Sequence, residues 1–250
     1  MPNGSQQRFA TRSGVAAEMA TSVGRRRIGW IGAVALAGVL VGSVDTSSAD
    51  SSKTVERVEW AAEVYEDLTE APDRGAPEWL FSEARCIAIV PHVVKGAFFF
   101  GARFGKGILT CRNDAGEWSP LVFIALGGPS FGFQWGASAT DLVLFFRKER
   151  GVRSLLRSRL TLGGDASIAA GPVGRRASAE VDVTLTAEIL SYALSKGVFV
   201  GISLEGSYLG VDEPSNEEYY GRSIDPEALL FDHALDIVPA STQRFHDLLP

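Results

Sequence analysis

Apolar and polar positions follow three patterns along the chain. Residues 28–44 form an uncharged apolar run, preceded by Arg25, Arg26 and Arg27 and followed by the small-x-small pair Ser47 and Ala49. Residues 53–69 carry Val55, Val58, Ala61, Ala62, Tyr65 and Leu68 at three- and four-residue steps, opposite a face of Glu56, Glu59, Glu63, Glu66 and Asp67. That period predicts an amphipathic helix, stopped by Pro72 and Gly75. A second short helix is predicted over 77–84, with Pro77 suited to its first turn. From Cys86 the helical period disappears. Cys86 to Val90 is a short apolar run that Pro91 should close as a buried strand. Further strands are predicted around 95–101, 107–111, 121–126, 131–136 and 141–146, with a turn at Gly127-Gly128-Pro129.

Residues 149–160 return to helical spacing, with Val152, Leu155, Leu156 and Leu160 against Arg150, Arg153 and Arg157. Short strands follow at 160–162 and 167–170, then an alternating stretch at 177–192 and a strand over 198–209 interrupted by Gly201 and Gly206. Three C-terminal helical pieces open at Pro214, Pro226 and Pro239. Strands and helices do not alternate as βαβ units, so the class is α+β with a mainly antiparallel sheet. Glycine supplies 27 residues, about 11% against a typical ~7%. Spread through apolar segments, these glycines suit a tightly turned, curled or barrel-like sheet, flanked by N-terminal, middle and C-terminal helices.

The first pattern describes an export signal: a basic region, an apolar region, and the small-x-small site of Ser47 and Ala49, with cleavage expected after Ala49. A span of seventeen residues is also at the lower limit for a membrane anchor. Residues 1–49 are therefore expected to be an export signal or an anchor through 28–44, residues 50–225 the folded domain, and residues 226–250 a helical tail packed on it. The expected location is exported, periplasmic or secreted, with the anchor as alternative. The formal net charge of −6 would become about −9 on removal of residues 1–49. An acidic chain argues against nucleic-acid binding, which needs a basic surface to displace counterions.

The candidate chemistry is sparse. Residues 101–107 resemble a phosphate-binding loop, but one residue is missing before Gly105-Lys106, and Gly107 stands where Ser or Thr is required. A glycine-kinked hairpin explains the segment better. Asp165, between Gly163-Gly164 and Ala166, reads as a turn residue bonding its own backbone. No cofactor or metal pattern is present, and no enzyme activity is expected. Cys86 and Cys111 are the two cysteines. Thiols on neighbouring strands can pair in an oxidising compartment, and cysteine is equally a small core hydrophobe.

The basic cluster is the most distinctive feature. Arg147, Lys148, Arg150, Arg153, Arg157 and Arg159 fall within thirteen residues, offset only by Glu149. Such asymmetry in an acidic chain suggests either an anionic partner or a solvated helix face. Lys95, Arg103 and Lys106 are second candidates for contacting an anion. Phe98, Phe99 and Phe100 are core residues or an acyl-chain contact.

Several separated segments resemble the SYLF domain family. They are residues 84–91, 95–98, 105–112, 127–136 and 140–144, the sharp stretch Leu162 to Arg175, and residues 188–192 and 195–206. With the leading helix, the resemblance spans about residues 55–222. It implies a non-enzymatic lipid-binding domain whose eukaryotic members bind phosphoinositides and remodel membranes. The acidic helix at 53–69 departs from the basic polar face that a membrane-surface helix requires. The expectation is therefore a phospholipid-binding protein of the bacterial cell envelope that meets an anionic membrane surface through basic residues. The alternative is an exported structural or protein-interaction module with an envelope protein as partner.

Overall fold

The computed structural model describes residues 46–70, 75–97, 101–130, 136–173, 186–195, 198–232, 234–235 and 238–250. The expected signal or anchor at 28–44, the phenylalanines at 98–100, and the segments 131–135 and 174–185 lie outside the described residues. Among the described residues, no helix is long and apolar enough to cross a membrane. Residues Val44–Pro250 form one compact unit.

The fold is α+β, built on one curled, mainly antiparallel nine-stranded half-barrel sheet. Helix α1 spans Thr46–Glu70 and α2 spans Glu78–Glu83. Strands β1 (Cys86–Ala97), β2 (Gly101–Cys111), β3 (Val122–Ser130) and β4 (Gly136–Phe146) follow, then α3 (Glu149–Arg157). Short strands β5 (Leu160–Thr161) and β6 (Ile168–Ala170) precede β7 (Ile189–Ser195), β8 (Val198–Gly201) and β9 (Tyr208–Val211). Three helices close the chain: α4 (Glu213–Tyr220), α5 (Pro226–Phe231) and α6 (Ala240–His246). The strand order is β5-β9-β3-β2-β1-β4-β7-β6, with β8 on β7. The β6–β7 pair is parallel.

Helices cover both faces of the sheet. On one face α3 and α5 bring Val152, Leu155, Leu229 and Leu230 onto Leu109, Leu126, Leu142 and Leu144. On the other, α1, α2 and α6 bring Val58, Tyr65, Leu68, Leu80 and Phe245 onto Ile87, Ile89, Ile108, Phe123 and Phe145. Burial on both sides explains why the strands read as continuous apolar runs rather than alternating ones. Fully burying each large side chain contributes about 1.5–3 kcal/mol, so these two layers dominate the stability.

Several boundaries differ from the sequence reading. Helix α1 begins at Thr46 rather than at 53, and so takes in Ser47 and Ala49. The glycine-kinked hairpin expected within 101–107 is one continuous strand, β2, paired with β3 through Gly105 and Lys106. Strand β1 does not stop at Pro91; it continues to Ala97 through a register shift between Val90 and Val93. The missing proline N–H is tolerated there because the ladder is already interrupted. His92 takes a left-handed φ of 50°, and Asp141 Oδ1 accepts its N–H at 2.7 Å. Gly127-Gly128-Pro129 is not a turn but part of β3, where it passes beneath Tyr208 and Ser207. Helix α3 ends at Arg157, and Leu160 leaves it to pair with Leu209. The strand expected over 198–209 breaks at its two interrupting glycines: β8 ends at Gly201, and a turn at Gly206 (φ 76°) precedes β9.

Candidate functional site

The basic side chains singled out in the sequence fall into three environments. Those at the start of α3 face carboxylates. Arg147 pairs with Glu83 at 2.9 Å and stands over the Trp79 ring. Glu188, buried, accepts from Arg150 and lies 3.9 Å from Lys148. Arg153 bridges Glu149 and Glu227 and lies 3.9 Å above the Phe231 ring. Arg157 and Arg159 are exposed, and among the described residues neither forms an ion pair. Arg159 stacks on Tyr208 at 4.2 Å. The arginine stripe is thus largely neutralised at its start and carries open charge at its end.

Lys106 is the second environment. Its ammonium lies 2.8 Å from the buried Asp212 carboxylate, which Arg57 also approaches at 3.6 Å. Burial raises the Asp212 carboxyl. Hydrogen bonds from Lys106 and Ser215, with the charges of Lys106 and Arg57, outweigh that and hold it below the usual carboxylate value.

Lys95 and Arg103 are the third. They are cross-strand partners on β1 and β2. Arg103 is only 8% exposed, and its Nε and Nη1 are buried without a hydrogen-bond partner. Among the described residues neither cation forms an ion pair. Like charges facing across strands are destabilising. Burial lowers both pKa values, and the Arg103 charge lowers that of Lys95 further.

The opposite side of the same strands carries apolar groups into solvent. Phe104 and Val94 are register partners, 55% and 52% exposed. They share a face with Ile108, but α1 does not cover them. Across β3 the row continues through Gly127, which faces Phe104 and lies beneath the Tyr208 ring. A Cβ on Gly127 would sit 2.4 Å from the Tyr208 hydroxyl, so only glycine leaves the ring room. On the other flank Ala139 pairs with Val94. The result is a strip, Tyr208–Gly127–Phe104–Val94–Ala139, across the five neighbouring strands β9-β3-β2-β1-β4, with Arg159 stacked at its Tyr208 end.

The sequence reading missed Phe104, Val94 and Tyr208. Residues 103–106 alternate arginine inward and phenylalanine outward, the reverse of an ordinary half-buried strand, and nothing local reveals the inversion. The segment resembling a phosphate loop is simply β2: a Cβ on Gly107 would lie 2.1 Å from the Ile89 carbonyl oxygen. Asp165 holds its own turn, accepting the Thr161 N–H at 2.6 Å. Cys86 and Cys111 face each other in the β1–β2 register and are joined as a disulfide. Of the histidines, His92 packs edge-on against Trp60 and His246 bonds the Ser119 carbonyl; His233 lies outside the described residues. Among the described residues there is no group of three or more metal-ligating side chains.

A family model described as Ysc84, "Las17-binding protein actin regulator", matches residues 127–250. SH3 domain-containing YSC84-like protein 1 of Bos taurus is 34% identical over 196 residues, covering 76% of this chain and 56% of that protein. Its Xenopus laevis counterpart is 35% identical over 168 residues, 65% of this chain and 50% of that protein. Protein YSC84 of Saccharomyces cerevisiae is 34% identical over 161 residues, 63% of this chain and 34% of that protein. The chain spans about half the length of the vertebrate relatives.

Proposed function

Because this chain belongs to the Ysc84 (SYLF) domain family of non-catalytic binding modules, we propose that it binds anionic phospholipid membranes. The uncovered end of its sheet is the contact surface. The observation that carries this reading is the exposed Phe104–Val94 pair beside the stacked Arg159–Tyr208. Large side chains standing in water next to cations suit an interface that buries carbon and meets phosphate together. Arg157 and Arg159 supply open charge at one flank, with the exposed Lys148 and Arg150 further along the same stripe. Export to a cell-envelope membrane fits the basic-apolar-small pattern at residues 25–49. The Cys86–Cys111 disulfide supports a compartment in which thiols oxidise.

The test is sedimentation of residues 44–250 with phosphatidylcholine vesicles, with and without phosphatidylglycerol, at low and high salt. Leaving out residues 1–43 removes the apolar run as a second route to the bilayer. Binding to the anionic vesicles alone, weakened by salt and by R157E/R159E, is expected. No binding to either vesicle at low salt would overturn the lipid reading. The working function would then be a protein-binding module, as the actin-regulator description of the family model suggests.

A further inference from the structure

We propose that Lys95, Arg103 and Ser207 form an inward-facing site for a phosphate group, on the sheet face opposite the Phe104 strip. This deepens the membrane reading and rests on it only for the identity of the phosphate's owner. Arg103 carries a guanidinium nine-tenths buried, with Nε and Nη1 unpartnered. Ser207 is fully buried, and its Oγ is likewise unpartnered. The topology brings the two together. Gly128 lies opposite Arg103 in the β2–β3 register. Ser207 packs on Gly128, where an added Cβ would come within 2.6 Å of the Ser207 Cα and 3.0 Å of its Oγ. Gly128 also has a left-handed φ of 154°, so the position rejects any side chain on two grounds. Lys95 completes the row on the far side of Arg103.

Buried polar groups without partners are rare in native proteins, and each calls for an explanation. Here two independent ones flank a glycine, and a second cation faces the first with no carboxylate paired to either among the described residues. The fold keeps a costly arrangement that one ligand would resolve. A tetrahedral oxyanion can accept from a guanidinium edge, an ammonium and a hydroxyl together, and the arginine fork favours phosphate geometry. The three donors stand in a row across one face, and a phosphate offers that row more acceptor oxygens than a carboxylate does. A lipid headgroup and a free phosphate would bind through the same chemistry.

The experiment is calorimetric titration of residues 44–250 with two probes: inorganic phosphate, and dihexanoyl phosphatidylglycerol below its micelle concentration. R103M, K95M and S207A are titrated in parallel, with thermal melts of each. Binding of at least one probe is expected, weakened at least tenfold in R103M and severalfold in K95M and S207A. Tighter binding of the lipid assigns the site to a headgroup; binding of inorganic phosphate alone assigns it to a soluble phosphate. R103M should also melt higher than the unsubstituted protein without ligand, because it removes an unpartnered buried charge; an arginine serving only structure would give a lower melt. If R103M does not fold, K95M and S207A carry the comparison. Binding of neither probe, or equal binding by the substituted proteins, would overturn the proposal. Vesicle sedimentation separates the two readings. Vesicle binding without affinity for either probe removes the phosphate site and leaves the membrane surface. Probe affinity without vesicle binding does the reverse.

Discussion

Asp212 shows how one residue can set an acid limit to stability. Its carboxylate is buried, takes a hydrogen bond from Ser215 at 2.6 Å, and pairs with Lys106. Its folded pKa is depressed, so its contribution is complete above the ordinary aspartate value of about 3.9. That contribution is lost as pH falls through the folded value. D212N should lose about 1–3 kcal/mol at pH 7, and its stability should fall less than that of the unsubstituted protein between pH 5 and pH 2. Urea unfolding across that range measures both effects. Glu188 gives the second case. It is 8% exposed at its side chain while Arg150 is 72% exposed. R150E removes a partner of a buried carboxylate and sets a like charge beside it, at a cost of about 1–3 kcal/mol. Thermal melts of R150E and R157E separate structural from free arginines, because R157E should leave stability nearly unchanged. These roles could not be read from the arginine stripe alone. The partners Glu83, Glu188 and Glu227 lie 64, 38 and 74 residues away in sequence. Lys95 and Arg103 were legible as cations, but their lack of partners is a property of the folded sheet.

At the scale of elements, the disulfide fixes the first hairpin. Cys86 and Cys111 are 25 residues apart, at the buried ends of β1 and β2. Closing a loop of that size constrains the unfolded chain, so C86S/C111S should lose about 3 kcal/mol, measurable by denaturant unfolding. The apolar runs of these strands were legible, but the glycine-kinked hairpin expected within residues 101–107 is one continuous strand, β2. The continuity was hidden because proline and glycines ordinarily punctuate a strand. Pro91 is absorbed by a bulge, and Gly127 and Gly128 are required by what lies over them, Tyr208 and Ser207. Both are tertiary causes, invisible to a local window. Helix α1 was plain from its period, and Val58, Ala61, Val64, Tyr65 and Leu68 are its buried stripe. Helix α5 shows its start signals equally well: the Asp225 side chain accepts the Glu227 N–H at 2.9 Å, and Pro226 stands at its first turn.

At the scale of the whole molecule, the sheet divides into a part covered by helices and a part left open. Two apolar layers hold the covered part. At the open end Phe104 and Val94 face solvent on one side, while Lys95 and Arg103 face inward on the other. A membrane meeting the strip would bury its apolar groups, while the cations, on the opposite face, are tested by the phosphate titration. The most direct measurement is the partition of residues 44–250 onto phosphatidylglycerol-containing vesicles, compared with F104E. Phe104 is exposed, so F104E should keep the melting temperature within a few degrees. The expected result is at least tenfold weaker partition for F104E with the fold intact. Equal partition of F104E and the unsubstituted protein, both folded, would contradict the assignment of this end of the sheet to the membrane.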